Sequence, residues 1–188
     1  MLKKLGLAVA LLTLSLTEAS AVDIKDPENT LVIELESGPV YIEMLPDVAP
    51  EHVARIKELA RSGQYDNVAF HRVIEGFMAQ TGDVQFGDLE DGFEARRAGT
   101  GGSDLPDLPA EFSKVPFDRG AVGMARTQDP NSANSQFFIM FAEGHFLNGQ
   151  YTVWGQVIDG MEHVDKIKRG EPVPDPDRMV KVTVAADN

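Results

Sequence analysis

Apolar residues recur at every second position in short runs along most of this chain, and only twice does their spacing lengthen to that of a helix. Period two marks a strand that buries one face, so a chain built mainly this way must pair its strands edge to edge. "TLVIELESGPVYIEML" places Leu31, Ile33 and Leu35 on one face, then Val40, Ile42 and Met44 after a turn at Ser37-Gly38, as in two strands of a tight hairpin. "APEHVARIKELARSGQYD" changes period. Val53, Ile56, Leu59 and Ala60 form one stripe, with Pro50 near the start and Gly63 just past the end of an amphipathic helix. The short segments "GAVGMAR", "QFFIMF", "YTVWGQVIDG" and "MVKVTVA" follow between Gly-, Asp- and Pro-rich loops, and "MEHVDKIKRG" gives the second helical signal. This order predicts a mostly β protein, an antiparallel sheet that closes on itself as a barrel with two α-helices over its open ends.

At 188 residues, 43% hydrophobic and 25% charged, the chain suits one domain whose core stands alone. Its first residues read separately. Lys3 and Lys4 precede an apolar run from Leu5 to Leu16, and small residues follow at Ala19 and Ala21. That is the pattern of a secretory signal peptide over 1–21, leaving a domain of 22–188; the run is short of the ~18–20 apolar residues of a bilayer span. An exported chain, periplasmic given the short bacterial-style signal and without stable membrane insertion after cleavage, is expected. The net charge of −13 argues against nucleic acid or anionic membrane as a main partner. The absence of Cys excludes thiol catalysis and thiolate metal sites. His52, His71, His145 and His163 lack close ligand spacing, so no metal is expected.

The stretch Phe70–Asp83, "FHRVIEGFMAQTGD", reads as a hairpin bound for the core, yet His71, Arg72 and Gln80 interrupt it. Arginine is almost never fully buried unless paired, so Arg72 needs a partner or a task. Alternation sets Phe70, Arg72 and Ile74 on one face, His71 and Val73 on the other. A two-residue turn at Glu75-Gly76 would put Arg72 opposite Ala79. A three-residue loop, Glu75-Gly76-Phe77 with Gly76 at positive φ, puts it opposite Gln80 and Ile74 opposite Met78. The second register gives the guanidinium an amide acceptor and is preferred. Phe70, Ile74 and Met78 would then surround a braced donor, a surface that can hold an apolar group while aiming one hydrogen bond. An arginine exposed on an edge strand fits the same periodicity.

The same stretch closely resembles the signature of the cyclophilin-type peptidyl-prolyl isomerases. So do "GTGGS" at Gly99–Ser103, "AEF" at Ala110–Phe112, "GAVGMAR" at Gly120–Arg126, "NSQFFI" at Asn134–Ile139 and "FLNGQYTVWGQVIDGMEHVDKI". The resemblance runs in order from about Thr30 to the C-terminus. It implies an eight-stranded antiparallel barrel capped by two helices, a substrate groove on its outer surface, no cofactor, and proline-containing segments of exported proteins as partners; a monomer is the expected state. By the same resemblance the catalytic arginine falls on Arg72 and its supporting glutamine on Gln80. The proline pocket falls on Phe77, Met78, Phe138 and Leu147, while Gln136, Ala125 and Arg126 match positions that hold the substrate's main chain. Phe146 stands where many eukaryotic relatives have a tryptophan that helps bind cyclosporin, so weak inhibition by that compound is expected. Tyr151 and Arg126 replace a histidine and an asparagine of those relatives, as in bacterial members, which can alter the preference for residues flanking proline.

Other features have plainer readings. "GTGGS" lacks the lysine and following helix of a phosphate loop and reads as a turn lining the groove. His71 reads as a hydrogen-bonded core or boundary histidine, Phe137 and Trp154 as core. The charged segment Val84–Ala98 reads as a solvated loop rather than a partner contact. Two other functions remain open: a holdase that binds Pro-containing segments without turnover, and a carrier using the barrel interior. Against the carrier, Ile33, Leu35, Val153 and Val157 are bulky enough to fill a small barrel.

Overall fold

Glu36 and Ser37 turn the chain between β1 (Thr30–Leu35) and β2 (Gly38–Met44), one residue earlier than the sequence pattern placed the turn. This computed structural model describes residues 22–188, so the signal peptide read at 1–21 lies outside the described residues. Helix α1 (Pro50–Arg61) buries Val53, Ile56, Leu59 and Ala60 as its stripe requires. It ends in a left-handed Gly63 at φ 72°, whose N–H and that of Gln64 cap the carbonyls of Ala60 and Leu59. Ala49 offers no side chain to the first turn. Glu111, from a distant loop, instead accepts the backbone N–H groups of Glu51 and His52 and meets His52 Nδ1 at 2.6 Å.

The remaining elements are β3 (Val68–Ala69), β4 (Arg72–Ile74), β5 (Met78–Thr81), β6 (Ala121–Met124), β7 (Phe137–Met140), β8 (Val153–Asp159), α2 (Met161–Val164), β9 (Arg178–Met179) and β10 (Lys181–Val184). Eight strands form one antiparallel sheet in the order β10-β1-β2-β8-β6-β7-β5-β4, and β3 pairs with β9 as a separate ribbon. The closed barrel expected from the sequence is therefore corrected to an open half-barrel. Its edge strands β4 and β10 do not pair, because the chain segments leading into them pair with each other first, Ala69 with Arg178 and Phe70 N–H with the Asp177 carbonyl.

The concave side holds the main core, where Phe137 meets Trp154 and Tyr65 edge-on at 5.4 Å and 5.6 Å. Ile33, Leu35 and Val157 belong to it as expected. Val153 does not: the pairing of β6 with β8 skips Trp154, Val122 facing Gly155 and Gly123 facing Val153. This bulge turns Trp154 inward and sends Val153 to a second, smaller cluster with Met78, Phe117, Ala121, Phe138, Met140 and Leu147.

Candidate active site

The hairpin joining β4 to β5 adopts the three-residue loop, with Gly76 at φ 69° and pairs Arg72–Gln80, Val73–Ala79 and Ile74–Met78. Gln80 lies opposite Phe138 on β7, and Phe138 opposite Gly123 on β6, so one cross-strand row carries Arg72, Gln80 and Phe138. Phe70 departs from the expected face. The chain leaves strand geometry at Phe70 and His71, and Phe70 joins Val73 in the main core, leaving Ile74 and Met78 beside Arg72.

Arg72 Nη1 donates to Gln80 Oε1 at 3.3 Å, Gln80 Nε2 to Gln136 Oε1 at 3.0 Å, and Gln136 Nε2 to the Gly101 carbonyl at 2.8 Å. This chain has one direction. A guanidinium can only donate and a carbonyl can only accept, so both amides between them are fixed in orientation. On its other edge Arg72 Nε donates to Glu171 Oε1 at 2.5 Å. Nη2 has no partner among the described residues.

Beside the guanidinium lies a depression of about 300 Å³ walled by Phe77, Met78, Phe138, Phe146 and Leu147, with Ala125, Arg126 and Tyr151 completing its lining. Phe138 stacks on Phe117 at 5.6 Å and meets Tyr151 edge-on at 5.9 Å, while the exposed Phe146 leans on Phe77 at 5.6 Å. Gly123 leaves room for that stack: a Cβ there would lie 2.5 Å from Phe117 Cε1 and 2.7 Å from Phe138 Cζ. Arg126 lies 4.3 Å above the Tyr151 ring and donates to the carbonyls of Thr127 and Gln150. Gln136 lines a second depression, of about 370 Å³, with Gly99, Thr100, Gly101 and Asn134; Gln80, Ala125 and Arg126 border both, so the two form one groove. The sequence-named residues are thus brought together, Gln136 in the second compartment and the rest in the first.

The arrangement offers a fixed cationic donor at the rim of an apolar pocket, with neither a nucleophile nor an acid–base pair in the row. Residues 30–186 match the family described as cyclophilin type peptidyl-prolyl cis-trans isomerase/CLD. The chain belongs to that family. A probable peptidyl-prolyl cis-trans isomerase of Brucella suis is 60% identical over 185 residues, covering 96% of this cyclophilin and 94% of the relative. Peptidyl-prolyl cis-trans isomerase B of Escherichia coli is 38% identical over 139 residues, 70% of this chain and 79% of that one. Among solved structures, cyclophilin AquaCyp293 from Hirschia baltica superposes with a TM-score of 0.74 at 31% identity, covering 87% of this chain and 76% of its own. A Cryptosporidium parvum cyclophilin type isomerase, crystallised in the presence of the dipeptide Ala-Pro, gives 0.67 at 26% identity, covering 82% and 98%. The activity of this cyclophilin is peptidyl-prolyl cis–trans isomerisation.

Two residues that brace the cyclophilin groove from behind its lining were missed from sequence. Glu171 stands 99 positions from Arg72 in a Pro- and Asp-rich loop that carries no periodicity. Asp83, 0% exposed, accepts the backbone N–H groups of Gln85, Phe86, Gly99 and Gly101, tying the "GTGGS" turn to the end of β5. That turn lines the groove as expected. His71 is buried beneath it, where a Cβ on Gly99 would lie 2.9 Å from its Cδ2, but neither ring nitrogen has a hydrogen-bond partner in the protein, contrary to the expectation. Burial pushes its pKa down, against the pull of Asp83. The segment Val84–Ala98 is only partly the solvated loop expected: Arg97 pairs with Glu94 over the Phe86 ring, but Phe86 is buried, Ala69 N–H donates to the Gly87 carbonyl and Arg178 pairs with Glu90.

Proposed function

We propose that this cyclophilin speeds X-Pro rotation in exported proteins by donating a hydrogen bond from Arg72 to the prolyl nitrogen. The observation that carries the reading is a guanidinium braced by Gln80 at the rim of a pocket shaped by Phe77, Met78, Phe138 and Leu147. Resonance in the X-Pro bond sets a barrier of ~18–20 kcal/mol. In the twisted state the nitrogen becomes pyramidal and regains its lone pair. A donor aimed there favours that state over both planar ground states. Arginine suits the task because its charge is permanent and its planar fork can be held at one edge while donating from another. Pocket walls that clamp the ring leave the acyl side to turn, while Gln136, Ala125 and Arg126 hold the main chain on either side of the bond. No proton is removed and no covalent bond forms.

The leader pattern at 1–21 supports export, with the periplasm as the compartment and proline-containing segments of exported proteins as substrates of a monomer. The test is NMR exchange on an X-Pro peptide with the 22–188 protein and its Arg72→Ala variant. Turnover is expected to fall by about two to three orders of magnitude, the scale of losing one electrostatic donor, with the folded spectrum retained. Equal rates in the two proteins would refute the role of Arg72. Binding without rapid exchange in either protein would favour the holdase.

A further inference from the structure

The segment that follows α2 lies along the free edge of β4. Gly170 and Val73 exchange two backbone hydrogen bonds, of 2.8 Å and 2.9 Å. To one side of that rung Arg169 Nε donates to Glu75 Oε2 at 2.6 Å; to the other, Arg72 Nε donates to Glu171 Oε1 at 2.5 Å. Each strand supplies one cation and one anion, which fixes the register, since a slip of two residues would bring Arg169 toward Arg72. Arg169 is further held over the Phe141 ring at 4.2 Å, and Val173 N–H reaches the His71 carbonyl at 3.1 Å. A loop without secondary structure of its own is thereby pinned through four of its residues, Arg169, Gly170, Glu171 and Val173.

We propose that Glu171 is a positioning residue for isomerisation, holding Arg72 by its Nε edge while Gln80 holds Nη1. This rests on the reading of Arg72 as the donor to the prolyl nitrogen. The Gln80 contact, at 3.3 Å, lies at the weak end of hydrogen-bond length, whereas the Glu171 contact, at 2.5 Å, is short and charge-assisted. Two attachment points on a planar group fix both its place and its tilt, and leave Nη2 for the substrate. An opposing effect exists, because a carboxylate beside the guanidinium lowers the positive field at the reacting nitrogen. The Glu171 side chain is 57% exposed, so water screens that field. Misplacing the donor by an ångström costs more, so positioning prevails.

The test compares wild type, Glu171→Ala, Glu171→Gln and Arg72→Ala on one X-Pro peptide, with kcat and KM resolved separately. Glu171→Ala is expected to lose about three- to tenfold in kcat with KM within about twofold, the signature of a group acting only in the transition state. Glu171→Gln restores most of the rate, because its amide oxygen still accepts the Nε–H. The Arg72 Nε–H signal, protected from water exchange in wild type and Glu171→Gln, is lost in Glu171→Ala. Wild-type or raised kcat in Glu171→Ala, a loss confined to KM, or a loss that Gln does not recover would each overturn the proposal. If Arg72→Ala also turns over at the wild-type rate, the fault lies with the role given to Arg72, and the proposal falls with it. A slow Arg72→Ala beside a wild-type Glu171→Ala overturns the proposal alone.

Discussion

His71 pairs burial with two unsatisfied ring nitrogens, and this makes it a titration sensor of the native state. Its pKa is lowered, by burial first and by neighbouring Arg72 to a lesser degree, while the nearby Asp83 carboxylate pulls the other way. Below the unfolded value of about 6.5 the unfolded chain binds a proton that the native state still refuses, so stability falls with acidification until the native value is reached. Above that window His71 contributes no slope. His145, exposed and raised by Asp118, has the opposite sign: the stability it adds is present below its unfolded value and lost as pH rises through its folded one. Because it is exposed, salt weakens it. Thermal unfolding at about 0.5 M salt is therefore expected to show Tm falling from about pH 7 to about pH 5. The slope should flatten in His71→Gln; an unchanged slope would move the titration elsewhere. At this scale the partner of Arg72 could be read from sequence because only one of the two hairpin registers offered an acceptor. Glu171 could not, since nothing in a Pro- and Asp-rich loop fixes which residue meets a strand nearly a hundred positions away.

Helix α1 shows how one element borrows its end from another. Without a capping side chain at Ala49, the N–H groups of Glu51 and His52 depend on Glu111, which also binds the His52 ring. Glu111→Ala is expected to cost about 1–2 kcal/mol and lower Tm by several degrees, since it removes a cap and leaves a fully buried imidazole without its partner. Denaturant unfolding followed by circular dichroism reads this directly, and a variant as stable as wild type would mean that water satisfies the helix end. The helix itself was legible, because four apolar residues at helical spacing between Pro50 and Gly63 allow little else. Its cap was not, and neither was the bulge at Trp154, because strict alternation offers no place to put an extra residue. Closure of the sheet also escaped the sequence: whether two edges pair depends on where the chain leaves them, as it does at Phe70 and His71.

In the whole molecule, the half-barrel separates two apolar clusters by the thickness of its sheet. The concave one holds the fold together; the outer one, around Phe117 and Val153, shares Met78, Phe138 and Leu147 with the groove. The floor of the pocket is thus also the roof of a core. Gly123→Ala tests this, since its added methyl would meet Phe117 and Phe138 at less than contact distance. Overpacking of this kind costs about 1–3 kcal/mol. Phe138 is expected to yield into the groove, raising KM although position 123 does not line it; an unchanged KM would show that Phe117 moves instead. Drift in such a lineage is then doubly constrained. A substitution that retunes which peptides fit must survive as a folding mutation, and one selected for folding will shift the range of clients as a by-product.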